Sequence, residues 1–159
     1  MINLKEITKD NVVKASFLTT NTNGEITLNE QFVASNVISI AQSKYMPAME
    51  TKAIYEDEEM VGFVMYGIDE DELWIMRYMI DYRHQGKGFG KLALGLIIDE
   101  IWKSYTEQQI KISIEPDNII AKKLYESFGF KDTNIFEEGE LVMLLNRELT
   151  HTSAEPEKF

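Results

Sequence analysis

The chain of 159 residues contains no cysteine and only two histidines, His84 and His151. Without cysteine there is no disulfide scaffold, no thiolate zinc site, no iron–sulfur cluster and no cysteine nucleophile. Two distant histidines give little material for a His-rich metal centre or a Ser-His-Asp triad, so no metal is expected. Positive charge is also scarce: 16 Lys and Arg stand against 27 Asp and Glu, a formal net charge of −11. A surface this acidic repels phosphate backbones and anionic membranes, so neither nucleic acid nor membrane is an expected partner, whereas a cationic small molecule is tolerated. No apolar run nears the roughly 20 residues of a bilayer span. The first ten residues lack the basic-then-apolar pattern of a signal peptide, and with no cysteine the expected location is cytoplasmic.

What is present reads as one globular domain. Hydrophobic residues make up 44% and charged residues 27%, an ordinary globular balance. A single domain is expected over 1–149, followed by a polar, frayed tail over 150–159. No repeat or low-complexity linker interrupts it. Ile2, Leu4 and Ile7 suggest a first strand, and 11–18 a helix. Residues 19–29 (TTNTNGEITLN) read as a polar loop. Phe32, Val33, Val37, Ile40 and Ala41 recur near the helical period, so 31–42 is predicted helical. Three strand-like runs follow at 53–55, 60–68 and 73–80, separated by the acidic tetrads 56–59 and 69–72. Short polar turns imply an antiparallel meander, which sends the two tetrads to opposite ends of the sheet rather than into one site.

A long helix is predicted over 91–105 and a strand over 110–114, where isoleucine alternates with Lys111 and Ser113. The next helix takes a cap near Asp117 or Asn118, carries Ala121, Leu124, Tyr125 and Phe128 on one stripe, and stops at Gly129. Segments 130–136 and 141–145 read as a closing hairpin. The order is α+β with a mixed sheet, in which the strand–loop–helix–strand portion supplies one parallel pair.

The stretch Gln85, Gly86, Lys87, Gly88, Phe89, Gly90 and Lys91 joins a strand to a helix. Its three glycines let the backbone approach a ligand closely. The free N–H groups and positive dipole end of the next helix favour an anion, most naturally a phosphate or pyrophosphate, and two lysines add charge. A P-loop is excluded because Leu92 follows Gly90 and Lys91, and Gln85 stands where the first glycine belongs. A dinucleotide fingerprint fails as well: no acid precedes Glu115 at the end of the next strand, and the unit does not repeat.

Gln85, Gly88 and Gly90 form a Q-x-x-G-x-G that resembles the acetyl-CoA pyrophosphate motif of the GCN5-related N-acetyltransferases (GNAT). Asn118, Ala121, Tyr125, Gly129 and Phe130 resemble that superfamily's next motif, N-x-x-A-x-x-x-Y-x-x-x-G-F, in the expected order. The likeness spans 2–149. More narrowly, the segments 61–67, 77–81 and 113–118 and the closing hairpin resemble bacterial spermine/spermidine (diamine) acetyltransferases.

The resemblance implies a mixed, mostly antiparallel sheet of about seven strands with four helices and a splayed central pair. It implies acetyl-CoA as co-substrate, along Tyr78, Met79, Ile80, Gln85–Lys91, Asn118 and Tyr125. Tyr125 would be the acid that protonates the leaving thiolate, although it also lies on its helix's apolar stripe. The base is unassigned: related polyamine enzymes often carry an acid on the splayed strand, where Met76 stands here, and Glu72 or water remain. Substrate-side candidates are Glu25, Glu30, Glu72 and Arg77, the last either pairing with an acid or facing solvent. Low positive charge and the narrower likeness together point to a polyamine acceptor, attacked directly in a ternary complex. An acetyltransferase of protein or peptide N-termini and a non-catalytic acyl-CoA-binding module are the alternatives. A homodimer is among the expectations.

Overall fold

The computed structural model describes residues 1–148; the expected tail, 150–159, lies outside them. In chain order the elements are β1 (Ile2–Glu6), α1 (Val12–Ser16), β2 (Asn29–Glu30), β3 (Val33–Ala34), α2 (Asn36–Ser43), β4 (Met49–Glu56), β5 (Glu59–Asp69), β6 (Glu72–Ile80), a 3-10 turn (Tyr82–His84), α3 (Phe89–Ser104), β7 (Gln109–Ile114), α4 (Ile119–Ser127), β8 (Lys131–Glu137) and β9 (Glu140–Asn146). Seven strands form one mixed sheet in the order β1-β4-β5-β6-β7-β9-β8. The acetyltransferase-like layout of seven strands and four helices is therefore present, with one small hairpin added.

That hairpin corrects the helix predicted over 31–42. Asn29 pairs with Ala34 and Glu30 with Val33, and Phe32 in the turn has φ 66°. A right-handed helix cannot pass through that conformation. The helix starts only after Ser35, whose hydroxyl accepts the Ile38 N–H at 3.3 Å. The Phe32 and Val33 side chains mimicked helical spacing, but the local cap decided the start.

The meander behaves as predicted. The turns at Asp57 and at Glu70–Asp71 carry positive φ and sit at the two ends of the 11-residue β5, roughly 33 Å apart at strand rise. Among the described residues no three acidic or histidine side chains cluster as a metal site.

Two cores lie on the two faces of the sheet. Ala93, Leu94, Ile97, Ile98 and Ile101 of α3, with Tyr125 of α4, pack against Val64, Ile75, Ile112, Leu141 and Met143. Ala15 of α1, with Ile40 of α2 against it, packs on Ala53, Phe63, Met65 and Met79. On β6 the alternation is interrupted at one place. Met65 pairs with Arg77 and Tyr66 with Ile75, so Met76 is an extra, bulged residue on β6. A bulge of this kind turns two successive side chains toward the same face. Met76 joins the α1/α2 side, and Arg77, opposite Met65, follows it.

Candidate functional site

β6 and β7 are parallel and touch in register at one pair, Trp74 with Lys111. Beyond that pair β7 bonds to β9 and β6 to β5. The facing edges of β6 and β7 diverge, leaving an opening that widens toward Ile80 and the glycine loop. Tyr78, Met79 and Ile80 line its β6 edge. An unpaired strand edge offers backbone N–H and C=O groups to an extended ligand.

The loop after β6 is held from within. Asp81 is fully buried; its carboxylate accepts N–H bonds from Arg83, both backbone (3.1 Å) and Nε (2.7 Å). The Gln85 side chain donates to the Ile80 carbonyl at 3.0 Å, bracing the loop rather than pointing out of it. The Tyr78 hydroxyl donates to the Gly90 carbonyl, which ties strand to helix. Burial, and then the neighbouring Tyr125, push the Tyr78 phenol above its ordinary range.

Gly86 and Gly88 have φ of 75° and 82°, and a Cβ added to either would meet nothing within 4 Å. The backbone is thus bare and open on its outer side, and Gly88 caps α3 in the left-handed conformation. Lys87 and Lys91 are exposed. Bare amides at the start of a 16-residue helix, with two cations beside them, form a cradle for a phosphate-bearing ligand.

Tyr125 stands on the α4 side of the opening, 6% exposed, with its ring 5.8 Å from that of Phe130. Burial raises its phenol first, and the Glu140 charge raises it further. It therefore stays protonated at any physiological pH. The Asn118 side chain accepts the Ala121 N–H at 3.2 Å, capping α4.

This combination of splayed strands, bare glycine loop and capped helix decides the family. Residues 25–130 match the acetyltransferase (GNAT) family. The chain belongs to that family. It is 33% identical over 153 residues to a spermine/spermidine N(1)-acetyltransferase of Bacillus subtilis, covering 90% of this chain and 97% of that protein. It is 32% identical over 82 residues to a [ribosomal protein bS18]-alanine N-acetyltransferase of Haemophilus influenzae, covering 52% of this chain and 55% of that one. The crystal structure of spermidine N-acetyltransferase from Vibrio cholerae in complex with CoA and spermine aligns with a TM-score of 0.68 at 19% identity, over 92% of this chain and 95% of that one. This GNAT chain is an N-acetyltransferase that uses acetyl-CoA.

The substrate-side candidates scatter. Glu25 is exposed and bonded to Asn23 at 3.2 Å. It belongs to the loop whose Asn21, Thr22, Asn23, Thr27 and Gln31 line a polar depression of about 350 Å³. Glu30 is 8% exposed. One of its oxygens takes the Thr20 N–H at 3.0 Å, and the other is buried without a partner.

Glu72 does not reach the opening: it pairs with Lys111 at 2.5 Å at the closed, Trp74 end of the β6–β7 contact. Arg77 neither faces bulk solvent nor forms an ion pair among the described residues. Its Nη1 donates to the Met76 carbonyl (2.8 Å) and its Nη2 to Gln42 (3.4 Å), while its Nε is buried and unpartnered. Burial lowers its pKa, and Glu140 opposes that.

Three groups escaped the reading of the sequence. Ser113 donates to Glu140 at 2.5 Å, and Glu140 acts electrostatically on both Tyr125 and Arg77. Asp81 also accepts the Thr19 N–H at 2.9 Å, and the Tyr82 N–H donates to the Thr19 carbonyl at 2.8 Å. The loop after α1 is thereby docked onto the glycine loop. Glu140 had the signature of a solvated hairpin turn, and nothing local in the sequence ties it to Ser113.

Proposed function

We propose that the chain acetylates a primary amine of a small polycation such as spermidine or spermine, by direct attack in a ternary complex. The observation that carries this is the likeness, over 153 residues, to a spermine/spermidine acetyltransferase. The net charge of −11 supports it, because an acidic surface concentrates a polycation.

The residues present fit acetyl-CoA. The open amides of Gly86 and Gly88 and the charges of Lys87 and Lys91 would hold its pyrophosphate. The β6 edge at Tyr78, Met79 and Ile80 would take its pantetheine arm. Gln85 and Asn118 act on this reading as braces, since their side chains are engaged with the backbone. When bound, acetyl-CoA supplies an acyl group activated as a thioester and a thiolate leaving group. Tyr125, kept neutral by burial, holds the proton that the departing sulfur needs. The loop and the strand edge fix position, and positioning alone supplies several kcal/mol of barrier lowering. Glu25, on the loop after α1, and Glu30, on β2, are the carboxylates for the distal ammonium.

A second reading, acetylation of a protein N-terminus, draws on the bS18-alanine acetyltransferase likeness, which covers 52% of this chain. A CoA-release assay over spermidine, putrescine, an aminoglycoside and an N-terminal alanine peptide separates the two. Spermidine is expected to show the highest kcat/KM. A clear preference for the peptide would overturn the polyamine reading. Tight acetyl-CoA binding with no turnover of any amine would indicate a binding module.

A further inference from the structure

We propose that Glu140 is the proton acceptor for the incoming amine, held in place by Ser113 on the face of the sheet opposite Tyr125. The inference rests on acetyl transfer to an amine but not on which amine is used.

On β7, Ile112 and Ile114 belong to the core beneath α3 and α4, so Ser113 between them faces the other way. On β9, Leu141 and Met143 belong to the same core, so Glu140 and Val142 also face the other way. The register pairs Ser113 with Val142 and Ile114 with Leu141. Glu140 is thus the diagonal neighbour of Ser113 on one face, and the hydroxyl donates to its carboxylate at 2.5 Å. That bond brings a β9 side chain onto β7, the strand whose other edge borders the opening.

Groups on both other walls feel it. Its charge acts on Tyr125 from α4 and on Arg77 from β6. Those two stand on opposite faces, and Glu140 shares the face of Arg77, bonded to the strand that borders the opening. Across the turn its register partner is Glu137. Glu72, the carboxylate on β6, is paired with Lys111 at the closed end.

The chemistry needs a group at this spot. An alkylammonium has no lone pair, so it must lose one proton before nitrogen attacks. Glu140 takes that proton. Nitrogen then forms the C–N bond to the acetyl carbon, and the C–S electron pair leaves on sulfur. Sulfur takes the Tyr125 proton, and the second nitrogen proton restores the phenol. The Glu140 proton passes to solvent. Ammonium and thioester thus give amide, thiol and one proton. Acid and base stand on opposite faces of the opening, which keeps the two transfers from short-circuiting.

The test uses Glu140→Gln, assayed with whichever amine the wild type acetylates fastest, so that failure of the polyamine reading leaves it intact. At pH 7, kcat should fall by roughly 10²- to 10⁴-fold while acetyl-CoA affinity by calorimetry stays unchanged. The wild type can use the protonated amine and should show a shallow pH profile near neutrality. The variant must wait for free amine in solution, so its kcat/KM should climb about tenfold per pH unit toward the amine's own pKa near 10. A readout apart from turnover is binding of the amine to the enzyme–CoA complex, which should weaken about fivefold in the variant, the value of one partly exposed ion pair.

Wild-type kcat with an unaltered pH profile would overturn the proposal. Should Glu140→Gln lose acetyl-CoA affinity as well, Ser113→Ala decides. A smaller drop in kcat with a steepened pH profile supports Glu140, and an unchanged profile overturns it.

Discussion

The two halves of the site are built by different means. The cofactor side, from β6 through the glycine loop to α4, is made of backbone: open amides at Gly86 and Gly88, the start of α3, a strand edge without a partner and a capped helix. The proposed acceptor side, residues 19–35, is made of side chains that hold one another: Asn21 to the Glu25 carbonyl (2.8 Å) and to Thr27 (2.9 Å), Thr20 to the Gln31 carbonyl (2.8 Å), Glu30 to the Thr20 N–H. Backbone geometry demands particular residues at fixed spacing, so it leaves a motif. Side-chain nets can be built from many residue choices and leave none.

The sharpest way to probe the cofactor side is at its proposed acid. Tyr125→Phe keeps the ring against Phe130 and the buried packing while removing the proton. Turnover should fall by roughly 10²- to 10⁴-fold, with thermal stability and acetyl-CoA affinity little changed. An unaltered kcat would mean that the residue is there for packing, and that chemistry on this side also rests on something other than the hydroxyl.

Backbone dependence is tested next at Gly88. A β-branched residue there must adopt φ near 82°, which costs at least about 1–2 kcal/mol, and its methyls would stand where phosphate oxygens must approach. Gly88→Val is expected to weaken acetyl-CoA binding by at least about tenfold in calorimetry, leaving the acceptor's KM nearly constant. Equal affinity would show that the loop is a plain turn.

The two halves are not independent, because Asp81 joins them. It is buried, and it holds Thr19 of the acceptor loop and Arg83 of the cofactor turn at once. Burial pushes its pKa upward, but the bonds from Arg83 and Thr19 outweigh it, so the net shift is downward. A depressed carboxylate contributes stability that is complete above its unfolded pKa, near 3.9, and is lost as pH falls through the lower folded value. Asp81→Asn should therefore lower stability at pH 7 by about 1–3 kcal/mol and raise the KM of both substrates. The gap between variant and wild type should close in urea titrations below about pH 4. A KM change confined to one substrate would show that the halves are uncoupled.

How much was legible follows the same division. Gly86 and Gly88 stood out in the sequence because their left-handed conformation favours glycine, and Asn118 because it caps α4. Alternating isoleucines marked β7. The start of α2 was missed because Phe32 and Val33 imitate a helical stripe while belonging to a two-residue hairpin. The Asp81–Thr19 bond joins residues 62 apart, and the Ser113–Glu140 bond residues 27 apart. Neither pair carries a local pattern, since only the folded sheet brings them together.

The smallest effect concerns how the acceptor side reads charge. A flexible diamine offers few features except spaced ammonium groups, so its recognition is electrostatic. Glu30 is the better placed of the two loop carboxylates, with one oxygen fixed by Thr20 and the other unpartnered, and Glu25 is exposed. Such contacts are worth about 1 kcal/mol, or about fivefold in KM. They weaken as the Debye length shrinks from about 10 Å at 0.1 M salt toward about 3 Å at 1 M. The KM for spermidine should thus rise several-fold over that range, and Glu30→Gln should flatten the rise. On the proposed reading acetyl-CoA is held by Lys87, Lys91 and the α3 terminus, attractions that salt also weakens. However, the net charge of −11 repels an anionic ligand at long range, and salt relieves that repulsion. The two tendencies oppose, so its KM should move little. Initial rates for both substrates at the two salt concentrations give the comparison. A spermidine KM independent of salt, or a Glu30→Gln slope identical to the wild type, would mean that this loop does not read the acceptor's charge.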